Sequence, residues 1–208
     1  SGAVPAQVGS SNQWSQISLS LSGNSFRCGI DGGKLFCWGS NGAGQLGLGY
    51  TSASVASPTQ VGTATNWTYV FASRHAGTGG SENTCGIRAG ELYCWGNNAN
   101  GKNANGLTSG NALSPTKVGA LTGWTKIEQS KDHSCGLESG RLFCWGNNQY
   151  GQVGNGSTSG ANVLAPTQVG TSTNYTDFTI SNSAVLSIDS GQLKGFGTGF
   201  QFKMDRST

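Results

Sequence analysis

Six cysteines carry the most definite chemistry in this chain. They form three pairs with eight residues between the members: Cys28/Cys37, Cys85/Cys94 and Cys135/Cys144. Thiols at a fixed, repeated spacing either oxidise to disulfides or hold a metal. Structural zinc needs short Cys-x-x-Cys-type spacings and further ligands, and the only histidines are His75 and His133. The metal reading therefore falls away, and no metal or other cofactor is expected. In a fourth copy of the segment both positions are lost together, as Leu186 and Gly195. Joint presence and joint loss is what a bond inside each copy would produce.

The remaining reactive side chains do not assemble into a catalytic set. His75 and His133 share no spacing with a Ser/Asp pair that would build a triad. Asp31, Glu138 and Asp189 stand at Gly-rich tips where acidic residues serve turns, so a glycosidase pair is not expected. Gly42-Ala-Gly-Gln-Leu-Gly47 spells a dinucleotide fingerprint, but no helix follows it, and the fingerprint requires one. No catalytic residue is assigned, and the chain is not expected to be an enzyme. Four residues are candidates for binding a ligand. Arg74 and His75 lie in Ser73–Asn83, which lengthens one copy by seven residues. Tyr50 and Tyr150 lie in or beside Asn/Gly-rich turns but off the shared pattern. An exposed tyrosine there can stack on a sugar ring.

Repetition must position these residues. Pro-x-(Gln/Lys)-Val-Gly occurs at Pro5, Pro58, Pro115 and Pro166. An aromatic follows each time: Trp14, Trp67, Trp124, Tyr175. Then comes a paired unit such as Cys28-Gly-Ile-Asp-Gly-Gly-Lys-Leu-Phe-Cys-Trp-Gly39. Short runs such as Leu92-Tyr-Cys-Trp95, bounded by Gly, read as buried strands. Trp67-Thr-Tyr-Val-Phe71 alternates with period two. Gly32-Gly33, Ala89-Gly90, Ser139-Gly140 and Ser190-Gly191 mark hairpin tips. A two-residue tip sets Cys28 opposite Cys37. A three-residue loop with a Gly bulge also suits these sequences, and it would put the two cysteines on opposite faces. The two-residue register is preferred because it explains the cysteine pairing.

A period near 50 residues with four strands per unit predicts a β-propeller. The combined pattern, Cys-Gly-Ile-x-x-Gly-x-Leu-x-Cys-Trp-Gly-x-Asn-x-x-Gly-Gln-Leu-Gly followed by Pro-x-Gln-Val-Gly, resembles the regulator of chromosome condensation repeat. The likeness runs from residue 5 to about residue 200. It implies an all-β propeller, usually of seven blades in that family, whereas four repeats are present here (approximately 5–57, 58–114, 115–165 and 166–208). These are expected to form one domain over 1–208, as a closed or partial ring. The opening Pro5–Gly9 segment is expected to complete the last blade, which favours a monomer; a homo-oligomer that covers open blade edges is the alternative.

Composition narrows the function classes. Of 208 residues, 12 are Lys or Arg and 9 Asp or Glu, so 10% are charged and the net charge is +3. Average chains carry about 25%, and a nucleic-acid surface needs a dense basic stripe; no nucleic-acid partner is expected. No apolar run is long enough to span a bilayer. Three disulfides point to an oxidising compartment, extracellular or cell-surface, with the periplasm as the alternative. Asn66, Asn155 and Asn174 stand in glycosylation sequons. The leading reading is an adhesin-like recognition module for a cell-surface glycan or an extracellular protein. Alternatives are a structural or enzyme-inhibiting propeller and, because the best-known member of the family does this, guanine nucleotide exchange. The last fits poorly with paired cysteines.

Overall fold

The computed structural model describes residues 4–5, 7–20, 25–73, 82–157 and 160–198. Four antiparallel sheets follow one another along the chain. The first comprises β1 (Trp14–Leu19), β2 (Phe26–Asp31), β3 (Lys34–Asn41) and β4 (Ser52–Gln60). The second comprises β5 (Trp67–Ala72), β6 (Asn83–Arg88), β7 (Glu91–Gly96) and β8 (Ala112–Lys117). The third comprises β9 (Trp124–Gln129), β10 (His133–Glu138), β11 (Arg141–Gly146) and β12 (Val163–Gln168). The fourth has three strands among the described residues: β13 (Tyr175–Ile180), β14 (Ala184–Asp189) and β15 (Gln192–Gly197). Each sheet is an up-and-down meander in sequence order, the blade of a propeller. Successive first strands pack against one another, β1 on β5, β5 on β9 and β9 on β13. The blades therefore fan out from a common inner edge.

The hairpin tips decide the register. Ala89 and Gly90 have φ of 50° and 78°, Ser139 and Gly140 48° and 76°, Ser190 and Gly191 52° and 77°. Two consecutive left-handed residues make the tight turn whose twist matches a hairpin. Arg88 then pairs with Glu91 and Cys85 with Cys94, and likewise Cys28 with Cys37 and Cys135 with Cys144. All three pairs are disulfides with Cα atoms 4.1 Å apart. The two-residue register holds, and the bulged alternative does not.

Each disulfide looks outward from its own blade into the next. Cys28–Cys37, Phe26, Ile30 and Leu35 pack on Trp67, Val70 and Trp95. Cys85–Cys94, Ile87 and Leu92 pack on Trp124, Ile127 and Trp145. Cys135–Cys144, Leu137 and Leu142 pack on Tyr175, Phe178 and Val185. The recurring tryptophans are therefore seam residues. Inside a blade the first one needs a glycine beneath it: a Cβ at Gly86 would lie 2.8 Å from Trp67 Cζ3, and one at Gly136 2.7 Å from Trp124 Cζ3. In the fourth blade a serine, Ser187, occupies that position, and the aromatic has shrunk to Tyr175.

The four blades form a partial ring. The described residues of the opening segment, Pro5 and Gln7–Gly9, do not pair with the fourth blade; Gln7 and Val8 lie instead beside Trp14 on the first blade. No strand pairs with the outer edge of β15 among the described residues.

Candidate functional site

Strand direction sorts the connections onto two ends of the arc. Hairpin tips and the links between blades occupy one end. The loops joining first to second strands, and the Asn/Gly turns joining third to fourth strands, occupy the other. Backbone bonds tie the two kinds of loop together there: Asn97 N–H donates to the Glu82 carbonyl at 2.9 Å, and Asn147 N–H to that of Asp132 at 2.8 Å. Each turn is held from within by an asparagine. Asn41 donates to the Tyr50 carbonyl at 2.8 Å and accepts from Leu46 N–H at 3.1 Å. Asn148 accepts from Val153 N–H at 3.1 Å. An asparagine favours this role because its amide donates and accepts at once.

These braced turns display the two tyrosines. Tyr50 is 48% and Tyr150 50% exposed, and both belong to the same end of the arc as the junctions of the Ser73–Asn83 insertion. Arg74 and His75 lie outside the described residues. Between the second and third blades the same end is braced by buried polar side chains. Lys102 takes the turn position held by Gln45 and Gln152 in the neighbouring turns. Burial pushes its ammonium down to about 8, against the pull of Asp132 and Glu82. Its carbonyl accepts from Trp145 Nε1 at 2.8 Å. His133 is wholly buried, and its Nδ1 lies 2.7 Å from Ser130 Oγ. Desolvation pushes its imidazole down to about 4, so it is neutral at physiological pH. His133 is thus a structural residue. The sequence reading did not single out Lys102; its departure from glutamine at a repeated position was the available signal.

Two apolar surfaces lie away from the loops. The outward face of the first blade forms a groove of about 410 Å³, lined by Trp14, Ile17, Leu19 and Trp38 with Val8 at its rim. The outward face of the fourth blade has a smaller groove of about 220 Å³, lined by Leu186, Ile188 and Leu193 beside Asp177 and Thr179. Among the described residues, no three His, Cys, Asp or Glu side chains come together as a metal site would require. No helix of the described residues is long and apolar enough to cross a membrane.

The repeat that builds these features matches two sequence models, both described as the regulator of chromosome condensation (RCC1) repeat, over residues 32–76 and 139–192 and over 124–152. Together they cover more than half of the chain. The chain belongs to the RCC1 repeat family. Among solved structures, human WBSCR16 is similar with a TM-score of 0.71 and 18% identity, over 92% of this chain and 49% of that one. Yeast RCC1 (Prp20), solved bound to Kap60, gives 0.72 and 16%, over 91% and 45%. Prp20p from Saccharomyces cerevisiae, in a study of its binding to Gsp1p and histones, gives 0.63 and 20%, over 84% and 42%. This RCC1-repeat chain thus spans about half the length of the solved chains it matches. The shared feature is the propeller fold.

Proposed function

We propose that this chain is an extracellular recognition module that binds a cell-surface glycan or an extracellular protein through the loop end of its blades. The observation that carries the reading is the display of Tyr50 and Tyr150. Both are half exposed on turns whose backbones are fixed by buried asparagines. Tyrosine supplies a large, rigid contact at small entropic cost, and a braced turn loses little freedom on binding. Three disulfides support an oxidising compartment. Low charge and polar loops fit recognition by stacking and hydrogen bonding. Catalysis is no part of the proposal. We include Arg74 and His75 in the proposed surface because the described residues on either side of their insertion lie at this end.

The test is binding of the purified chain to a glycan array and to extracellular extracts, with Tyr50→Ala/Tyr150→Ala alongside. The double variant is expected to weaken the captured interaction about tenfold or more, about 1.4 kcal/mol, at unchanged thermal stability. Equal binding by both proteins would refute the loop-end site. Binding that required reduced thiols would refute the extracellular setting.

A further inference from the structure

The Asn/Gly turns of the first three blades repeat one design. Nine residues after the bracing asparagine, a backbone carbonyl accepts its side-chain amide: Tyr50 from Asn41 at 2.8 Å, Leu107 from Asn98 at 3.1 Å and Ser157 from Asn148 at 2.9 Å. Tyr50 and Leu107 therefore hold equivalent positions, and both leave a large apolar side chain in solvent, 48% and 59% exposed. In the third turn Ser157 stands at that position, and Tyr150, 50% exposed, supplies the large side chain instead. Tyr150 N–H is fixed by Gln152 Oε1 at 2.8 Å. Away from the opening segment and the two grooves on the outer blade faces, these three are the large apolar side chains left exposed among the described residues. Isolated exposed apolar residues are ordinary. Here there is one on each of three equivalent turns.

The turns are joined into a belt. Gly49 N–H donates to the Leu113 carbonyl on β8 at 2.8 Å, and Gly106 N–H to the Leu164 carbonyl on β12 at 3.2 Å. Asn162 Nδ2 adds a bond to Asn100 Oδ1 at 3.4 Å. Each turn is thus tied to the strand that follows the next turn. The turns carry no exposed charge. Residues 42–51 and 147–162 contain no Asp, Glu, Lys or Arg, and Lys102, the one such residue in 97–111, is fully buried. Asp132, in the loop between β9 and β10, is engaged by Asn100 Nδ2 at 2.9 Å. The opposite end of the arc is charged: Asp31 faces Lys34, Arg88 faces Glu91 and Glu138 faces Arg141 at the hairpin tips. The bracing asparagines of the belt are turned inward. Asn41, Asn98 and Asn148 are 0%, 1% and 1% exposed and use their amides within the turns.

We propose that the three turns act as one contact surface for a protein, anchored by Tyr50, Leu107 and Tyr150, and that its occupant is an uncharged, apolar segment of that protein. This rests on the loop-end site proposed above and chooses between its two partner classes. Interface centres are depleted in charge and enriched in aromatic side chains. Tyrosine set among Ser, Gly and Asn is also the composition by which binding loops recognise proteins. Leu107 decides against a glycan. It has no ring to stack on a sugar and no group to bond a hydroxyl, and the bracing asparagines that could do so face inward. An anionic partner meets no exposed cation on the turns. Contact between neutral apolar surfaces depends little on salt, because screening acts on charges.

The test is selection of a phage-displayed library of random peptides on the disulfide-bonded 208-residue chain, with a synthetic peptide made from the enriched sequences as the probe. Enriched peptides should be apolar and uncharged, and affinity should change less than about twofold between about 50 and 500 mM salt. Leu107→Asp should weaken the peptide about tenfold or more, as should Tyr50→Ala/Tyr150→Ala. All three side chains are exposed, so thermal unfolding should be unchanged. Lys34→Ala, at an exposed hairpin tip, should bind as the unaltered chain does. A selection that enriches no peptide, or only charged ones whose binding falls with salt, overturns the proposal. Peptides that bind every variant equally overturn the loop-end site as well. A glycan from the array that is lost with Tyr50→Ala/Tyr150→Ala and kept with Leu107→Asp upholds the loop-end site and overturns the protein partner.

Discussion

His133 provides a sharp test of the packing between the second and third blades. It is wholly buried, and desolvation lowers its imidazole from an ordinary 6.5 to about 4. Between those values the unfolded chain binds a proton that the folded chain refuses. Stability therefore falls as pH falls through this window and is retained above it. A difference of about 2.5 pK units corresponds to about 3 kcal/mol between pH 7 and pH 4. The repeat itself supplies the control. Asn83 occupies the same place in the second blade, and its N–H donates to Ser73 Oγ at 3.1 Å just as His133 N–H donates to Ser130 Oγ at 3.1 Å. His133→Asn should fold with the same backbone contacts and without the titration. Asp177 and Asp189 are held low by hydrogen bonds from Lys126 and Lys194; their losses in acid are common to both proteins and cancel in the difference. Urea unfolding of both proteins at half-unit steps from pH 7 to pH 4 measures that difference. A steady widening to about 3 kcal/mol is expected. A difference that stays flat would refute burial of a neutral imidazole.

Three further outcomes are expected. Replacing Cys85 and Cys94 together by serine removes a bond with a sequence separation of 9; the loop-entropy relation gives a loss of about 2–3 kcal/mol, read as a lower urea midpoint. Gly140→Ala should cost about 1–3 kcal/mol by the same assay, because φ is 76° and a Cβ would run into the Thr173 carbonyl oxygen. Trp67→Ala removes a seam residue that is 4% exposed and should cost about 3–5 kcal/mol; a loss below 1 kcal/mol would refute its place in the core.

Much of the blade was legible in the sequence because its determinants are local. The two residues at each hairpin tip fix the register, and the register fixes which cysteines meet. The recurring tryptophans repeat with the fold because the seams between blades are built on them. What was not legible depends on contacts between distant segments. Pro5–Gly9 carries the right motif for an outer strand, yet its place depends on where the fourth blade lies relative to the first, which no local pattern encodes. Lys102 stands in an Asn/Gly-rich turn with no apolar pattern around it. Only the arrival of the third blade against that turn makes it a buried ammonium. Tyr50 and Tyr150 could be assigned to turns from sequence, but their half exposure follows from the asparagine bracing and the curvature of the arc. Arg74 and His75 fall in the one segment that no other copy resembles.

Every disulfide in this chain lies within a blade, joining its second strand to its third, and none crosses a seam. The covalent reinforcement is therefore arranged as separate rivets, while the joints between plates rely on side-chain packing and hydrogen bonds. Under a pulling force, or in a protease-rich fluid, such a chain should part at its seams first. Each of the first three blades would come away with its central hairpin still locked. Damage would then be confined to whole units, and a detached blade would keep the shape needed to be seated again.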